Sequence, residues 1–173
     1  MRRGAGLIRR GILPGKRYTN PVNERVTLRF AVGVFDAWPE VDATVRELTG
    51  GGMNESAFSV LGLHRILAMA SRGTSPASLR YLPFPTNPEL IAATVGPLAD
   101  RLAARLEAKA DTLASALGHW LIRRHAVQLQ DAVAAGKIVL LVQLFDNDGE
   151  RRACQSLLAR SSNSVGVHDI VGA

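Results

Sequence analysis

One cysteine, Cys154, is present among 173 residues. No intrachain disulfide can form, so the core has to hold the fold, as in a reducing compartment. Aromatic residues make up only 5% of the chain, which leaves Ala, Leu and Val to fill that core. No apolar run approaches the roughly 18 residues that span a bilayer, so no transmembrane segment is expected. The arginines near Met1 are not followed by the apolar stretch of a secretory signal. These absences together lead to an expected cytoplasmic localisation.

Signatures of chemistry are missing too. No G-x-S-x-G elbow occurs. Gly136-Lys137 lacks the preceding glycine and the following Ser/Thr of a phosphate-binding loop. Asp146-Asn-Asp-Gly-Glu150 begins like a calcium loop but lacks the later ligands and the bidentate Glu. It reads instead as a turn followed by a helix start, where acids offset the helix dipole. The four histidines, His64, His119, His125 and His168, show no H-x3-H spacing. His119 and His125 are six apart, roughly 600° around a helix, and face different ways. The chain therefore yields no catalytic residue, no metal-ligand set and no cofactor, and the reading it favours is a non-enzymatic one.

What is present begins with charge. The net +6 is concentrated in residues 1–29, which hold eight Arg and Lys against Glu24, and the remainder is near neutral. Residues 1–24 combine this charge with Gly11, Pro14, Gly15 and Pro21 and show neither a helical nor a strand period. They read as a basic flexible arm. Arg2, Arg3, Arg9, Arg10, Lys16 and Arg17 are its candidate contacts to nucleic acid or an anionic surface, with a plain solvated tail as the alternative. Residues 25–173 read as a single α+β domain, and 47% apolar residues are enough to build its core.

Within the domain, Val26–Val34 is β-branched and apolar, a strand. A helix follows from Pro39, with Val41, Val45 and Leu48 on one face and Gly50-Gly51-Gly52 as its stop. Ala57–Leu61 is a second strand, and His64–Ala70 a short helix. Ser71–Asn87, with Pro76, Pro83 and Pro85, reads as an irregular connection. From Pro88 to Gly118 apolar residues recur at helical spacing, with a break near Gly96-Pro97. Another helix spans about His119–Ala135. Ile138–Phe145 is a strand apolar enough to be buried on both faces. Then come a helix over Glu150–Arg160, using Ala153, Cys154, Leu157 and Leu158, and a last strand, Val165–Ile170. Cys154 is expected to be buried and inert.

The two ends of this domain match. Setting Phe35-Asp36 on Phe145-Asp146, an offset of 110, puts Val32 on Val142, Glu40 on Glu150 and Leu48 on Leu158. Phe58 and Val60 meet Val165 and Val167 after a short gap. Two βαβ units, residues 26–61 and 137–170, are thus joined by loops and helices over 62–135. Such a pair commonly forms a four-stranded antiparallel sheet with helices on one face, the ferredoxin-like arrangement. The fold class expected is α+β with duplicated βαβ units and extra helices inserted between the halves.

Several of these residues also carry a family resemblance. Phe30-Ala-Val-Gly-Val-Phe-Asp36, the helix ending Val45-Arg-Glu-Leu48, Ala126 through Val133, Gly136-Lys137 and Ile138-Val-Leu-Leu-Val142 resemble the bacterial heat-induced general stress protein family. The resemblance covers about two thirds of the chain. The middle departs from it, with a proline-rich loop and an amphipathic helix where that family often carries a Gly/Ala-rich apolar segment. The resemblance implies a ferredoxin-like fold and no established catalysis.

Three functions follow as expectations. The first is a stress-type binding or scaffolding module, homodimeric through the open sheet face or the Leu/Ala-rich helices. A strand like Val139–Val142 should not meet water on its open face, so a partner or the extra helices must cover it. The second is a small ligand-binding protein or enzyme with a pocket between sheet and helices. It would use His125, on the inward stripe with Leu121 and Leu129, or His168, whose neighbour Asp169 points to the opposite face. His64 and His168, at related strand ends, are a further candidate pair. The third is nucleic-acid binding through the arm, without a paired aromatic platform on the strands.

Overall fold

Alternation of apolar side chains with period two dictates the centre of the molecule. The computed structural model describes residues 27–70, 80–84, 87–93, 96–107, 111–163 and 165–171. The expected basic arm, residues 1–24, lies outside them. Strand β1 (Thr27–Phe35) leads into helix α1 (Trp38–Gly50), which has Pro39 in its first turn. A 3-10 turn at Glu55–Ala57 then opens β2 (Phe58–Leu63). At the far end of the sequence, β5 (Ile138–Leu144), α6 (Asn147–Arg160) and β6 (Gly166–Val171) repeat the pattern. Gly52 and Gly136 adopt φ of 91° and 83° where helices were expected to stop, a conformation that glycine takes without a Cβ penalty.

The two units interleave. β5 lies antiparallel between β2 and β1, pairing Phe58 with Val142 and Ala31 with Val142 on either side. β1 in turn lies antiparallel between β5 and β6, pairing Phe30 with His168. The central order is β2-β5-β1-β6, a four-stranded antiparallel sheet. In each unit the two strands run the same way, with a strand of the other unit between them. β2 is buried along its whole length, and in β5 every residue but Gln143 is buried.

Both faces of this sheet are covered by the chain itself. On one face Ala31, Phe35, Phe58, Val60, Ile138 and Leu140 pack with Val41 and Leu48 of α1 and Ala153 and Leu157 of α6. On the other, Phe30, Val32, Val34, Val139 and Leu141 pack with three inserted helices, α3 (Pro97–Glu107), α4 (Leu113–Leu117) and α5 (Arg123–Ala134). The expected open face is therefore covered, and it is the inserted helices that cover it. This removes the sheet face as the route to a homodimer. A Cβ on Gly33 would stand 2.9 Å from Cδ2 of Leu157, so the missing side chain lets α6 sit close on β1.

The inserted region corrects the sequence reading further. After α2 (His64–Ala70), part of the expected irregular connection is strand β3 (Arg80–Phe84), and the start of the expected long helix is strand β4 (Asn87–Ala93). They extend the sheet to six strands, β3-β4-β2-β5-β1-β6. Proline does not forbid this. β3 is an edge strand, and its register with β4 shifts between Leu82 and Phe84, at Pro83, the kind of site where strands tolerate proline. Near Pro88, β4 has no partner in β2, which it meets only at Ile91 and Ala92. Pro97 opens α3 rather than kinking a longer helix. The helix expected from His119 begins at Arg123.

The register of the internal match also changes. Val32 belongs to the face covered by α5 and Val142 to the opposite face, so aligning them crosses the sheet. Leu48 is buried while Leu158 is 65% exposed, and Phe35 is buried while Phe145 is 70% exposed. A shift of one residue repairs all three, setting Val32 on Leu141, Leu48 on Leu157 and Phe35 on Leu144. A strand's side chains alternate, so one step of slip exchanges its faces. The two Phe-Asp corners then differ in role. Asp146 caps α6, accepting the Gly149 N–H at 2.6 Å, whereas Asp36 ion-pairs with Lys137 at 2.8 Å and α1 starts at Ala37 without a side-chain cap.

Candidate functional site

The candidate site is a cavity of about 550 Å³ between α5 and the β1–β6 side of the sheet. Its position follows from helical spacing on α5. His125, Gln128, Leu129 and Ala132 stand at i, i+3, i+4 and i+7, one face of the helix, and all four line the cavity. Val32 and Val34 come from β1. Gly166 and His168, two apart on β6 and so on the same side, form another wall. Lys137, Asp131, Asn163 and Val165 complete the lining.

His125 and His168 meet here. Their ring centroids are 5.2 Å apart and the planes cross at 73°, an edge-to-face contact. His168 reaches this position because Gly166 has no side chain. A Cβ there would stand 2.8 Å from Nε2 of His168. Burial, and then the neighbouring His125, hold the His168 imidazole below the ordinary histidine range, while Asp169 pulls weakly the other way. Nδ1 of His125 is buried and has no hydrogen-bond partner among the described residues. Such an atom costs about 1–3 kcal/mol if it stays unpaired.

The rim is held by the loop after α6. Ser161 Oγ accepts the Val34 N–H at 3.0 Å and donates to the Val34 carbonyl at 2.9 Å, and the Ser162 N–H donates to the same carbonyl at 2.8 Å. The Asn163 N–H also reaches Ser161 Oγ, at 3.3 Å. These bonds tie the loop to the end of β1 and set Asn163 and Val165 on the cavity wall. Lys137 is fixed from the other side by Asp36, whose carboxyl is held below its usual range chiefly by the hydrogen bond from Lys137.

The remaining candidates separate. His64 packs edge-to-face on Tyr81 of β3, with centroids 4.6 Å apart. It does not join His168, because β3 and β6 are opposite edges of the sheet. His119 is exposed. Asp169 points away from the cavity and meets Arg29 at 3.3 Å, while Arg29 also holds Glu150 at 2.9 Å. A second hollow near Arg29, of about 470 Å³, thus has its arginine already matched by two carboxylates. Cys154 is half-buried and its thiol is pushed up, first by burial and then by Glu150, which keeps it protonated and unreactive. Among the described residues no group of three or more His, Cys, Asp or Glu is arranged to hold a metal ion, and no helix is long and apolar enough to cross a membrane. The arm residues Arg2, Arg3, Arg9, Arg10, Lys16 and Arg17 lie outside the described residues.

Sequence reasoning identified both histidines but missed Gln128, Asp131, Lys137, Asn163 and Gly166 as cavity residues. For Gln128 a signal existed, its i+3 spacing from His125. Comparison with protein-family models, with curated proteins and with solved structures gives no match to this chain.

Proposed function

We propose that this chain is a small-molecule-binding protein whose ligand sits between α5 and the β1–β6 side of the sheet. The observation that carries this reading is the meeting of His125 and His168 in one cavity of about 550 Å³. That volume lies in the range of small-molecule sites, which are largely apolar with a few converging polar groups. Val32, Val34, Leu129, Ala132 and Val165 supply the apolar part, and the histidines, Gln128, Lys137 and Asn163 the polar part.

The fold that carries the site is, on this reading, a ferredoxin-like one built from duplicated βαβ units, with a helical insertion closing its second face. The interleaved order β2-β5-β1-β6 and the face-matched pairs Val32 with Leu141 and Leu48 with Leu157 support it. The resemblance to the general stress protein family agrees with such a fold and with a binding role.

The test is a small-fragment screen against the full chain, followed by amide NMR. Shifts should cluster on Val32, Leu129, Val165 and His168. Shifts clustering at the outer surface of α6 instead, or no binding by any fragment, would refute the cavity as the site.

A further inference from the structure

A pair of imidazoles in edge contact forms part of the cavity wall, and that contact indicates what the cavity takes. Nδ1 of His125 is sealed from solvent and unpaired among the described residues. Around it the lining is rich in donors. Lys137 uses one ammonium N–H on Asp36 at 2.8 Å and a longer contact of 3.4 Å on Ser162, and an ammonium has three to give. The acid in the described lining is Asp131, which is exposed, whereas both imidazoles are half-buried. A cationic ligand would thus find no buried carboxylate.

We infer that the cavity takes a small organic acid, with its carbon skeleton on Val32, Val34 and Leu129 and its carboxylate against the His125–His168 pair, and that one proton is taken up from solvent as it binds. This rests on the small-molecule reading above. The chemistry follows from the contact between the rings. Two imidazoles in edge contact resist carrying two charges, but an anion beside them stabilises one. Without ligand, His168 is held neutral by burial, so it has a proton to gain. The charges around the cavity are Arg123 and Arg124 beside His125 on α5, Asp131 in the lining, Lys137 with its partner Asp36 at the far end, and Asp169 on the other side of β6, already engaged by Arg29. β1 offers only Val32 and Val34 to the cavity. A protonated imidazole then faces the carboxylate in a site walled by valine and leucine, where a charge-assisted hydrogen bond is strong.

The experiment uses the full chain with 3-phenylpropionate and its uncharged amide, titrated by calorimetry and followed by amide NMR. The acid stays ionised across the range, so any change in its affinity reports on the protein. Its affinity should rise by up to about tenfold per pH unit as the pH falls from about 7.5 toward the His168 titration, with net proton uptake on binding, while the amide changes less than about twofold. His168→Gln and His125→Gln should each flatten the acid's pH dependence. If the amide binds as well as the acid and neither responds to pH, the cavity is a binding site but its ligand is not an acid. If the acid binds and both variants keep the full pH dependence, the proton resides elsewhere and the inference is overturned. If neither compound shifts the cavity residues under any condition, the small-molecule reading itself fails.

Discussion

The imidazole of His168 lies over the backbone of Gly166, with Nε2 only 2.8 Å from where a Cβ would be. Gly166→Ala should therefore push the ring out of its contact with His125. The obstacle is the end of a movable side chain, so the fold should persist at a cost of about 0.5–1.5 kcal/mol, the order of an off-rotamer side chain. NMR titration of the imidazole protons should show His168 moving toward the ordinary histidine value as it leaves the buried site. An unchanged titration would mean that the glycine does not set the ring's position.

His168 also makes stability depend on pH, and the sign can be worked out. Its folded value is lowered from 6.5, first by burial and then by His125. Between the folded value and 6.5 the unfolded chain binds more protons than the folded one, so stability rises with pH through that window. Acidifying below 6.5 should progressively weaken the fold, until both states are protonated. Urea midpoints measured across this range should slope for the parent and less for His168→Gln. Equal slopes would exclude the imidazole as their source.

Leu157 and Leu158 are neighbours with opposite fates. Leu157 is fully buried over Gly33, and Leu158 is mostly exposed. Leu157→Ala should cost about 2–5 kcal/mol, and Leu158→Ala less than about 0.5 kcal/mol. Gly33→Ala should cost about 1–3 kcal/mol through overpacking against Leu157, and part of that loss should return when Leu157→Val is added. Denaturant midpoints of the set check all of it, and a Leu158 variant as damaging as the Leu157 one would reject this packing.

The two Phe-Asp corners give a further contrast. Asp146→Ala removes the side-chain acceptor at the start of α6 and should cost about 1 kcal/mol. At Ala37 the backbone is already extended, with φ −142° and ψ 150°, and there is no side-chain cap. Ala37→Asp should stabilise α1 by a comparable amount, read as a higher thermal midpoint.

How far the sequence revealed this molecule depends on the element. β1, α1, β5 and α6 were legible because each carries its own period and its own stop, the glycines up to Gly52 after α1, the loop from Ser161 after α6 and a turn after each strand. Leu158 misled because the Phe145-Asp146 corner invited an alignment one residue out, and in a strand one residue is the difference between two faces. Pro83 and Pro88 concealed β3 and β4, since a proline's tolerance depends on which neighbour the strand has, a tertiary fact. Ile91 fitted a helical period equally well. The meeting of His125 and His168 was not legible at all. It required knowing that β6 lies beside β1 and that α5 covers that same face.

The interleaving of the two units has a consequence for the chain as it is made. β1 has two neighbours in the sheet, β5 and β6, and both come from the last part of the sequence. On a ribosome adding about 5–20 residues per second, some 5–20 seconds separate the synthesis of β1 from that of β5. Throughout that interval the Phe30–Phe35 segment has neither edge paired and is open to a chaperone or to another nascent copy. The native topology closes late, from the C-terminal side. A truncation that loses β6 therefore uncovers β1, the first strand, rather than only trimming the last.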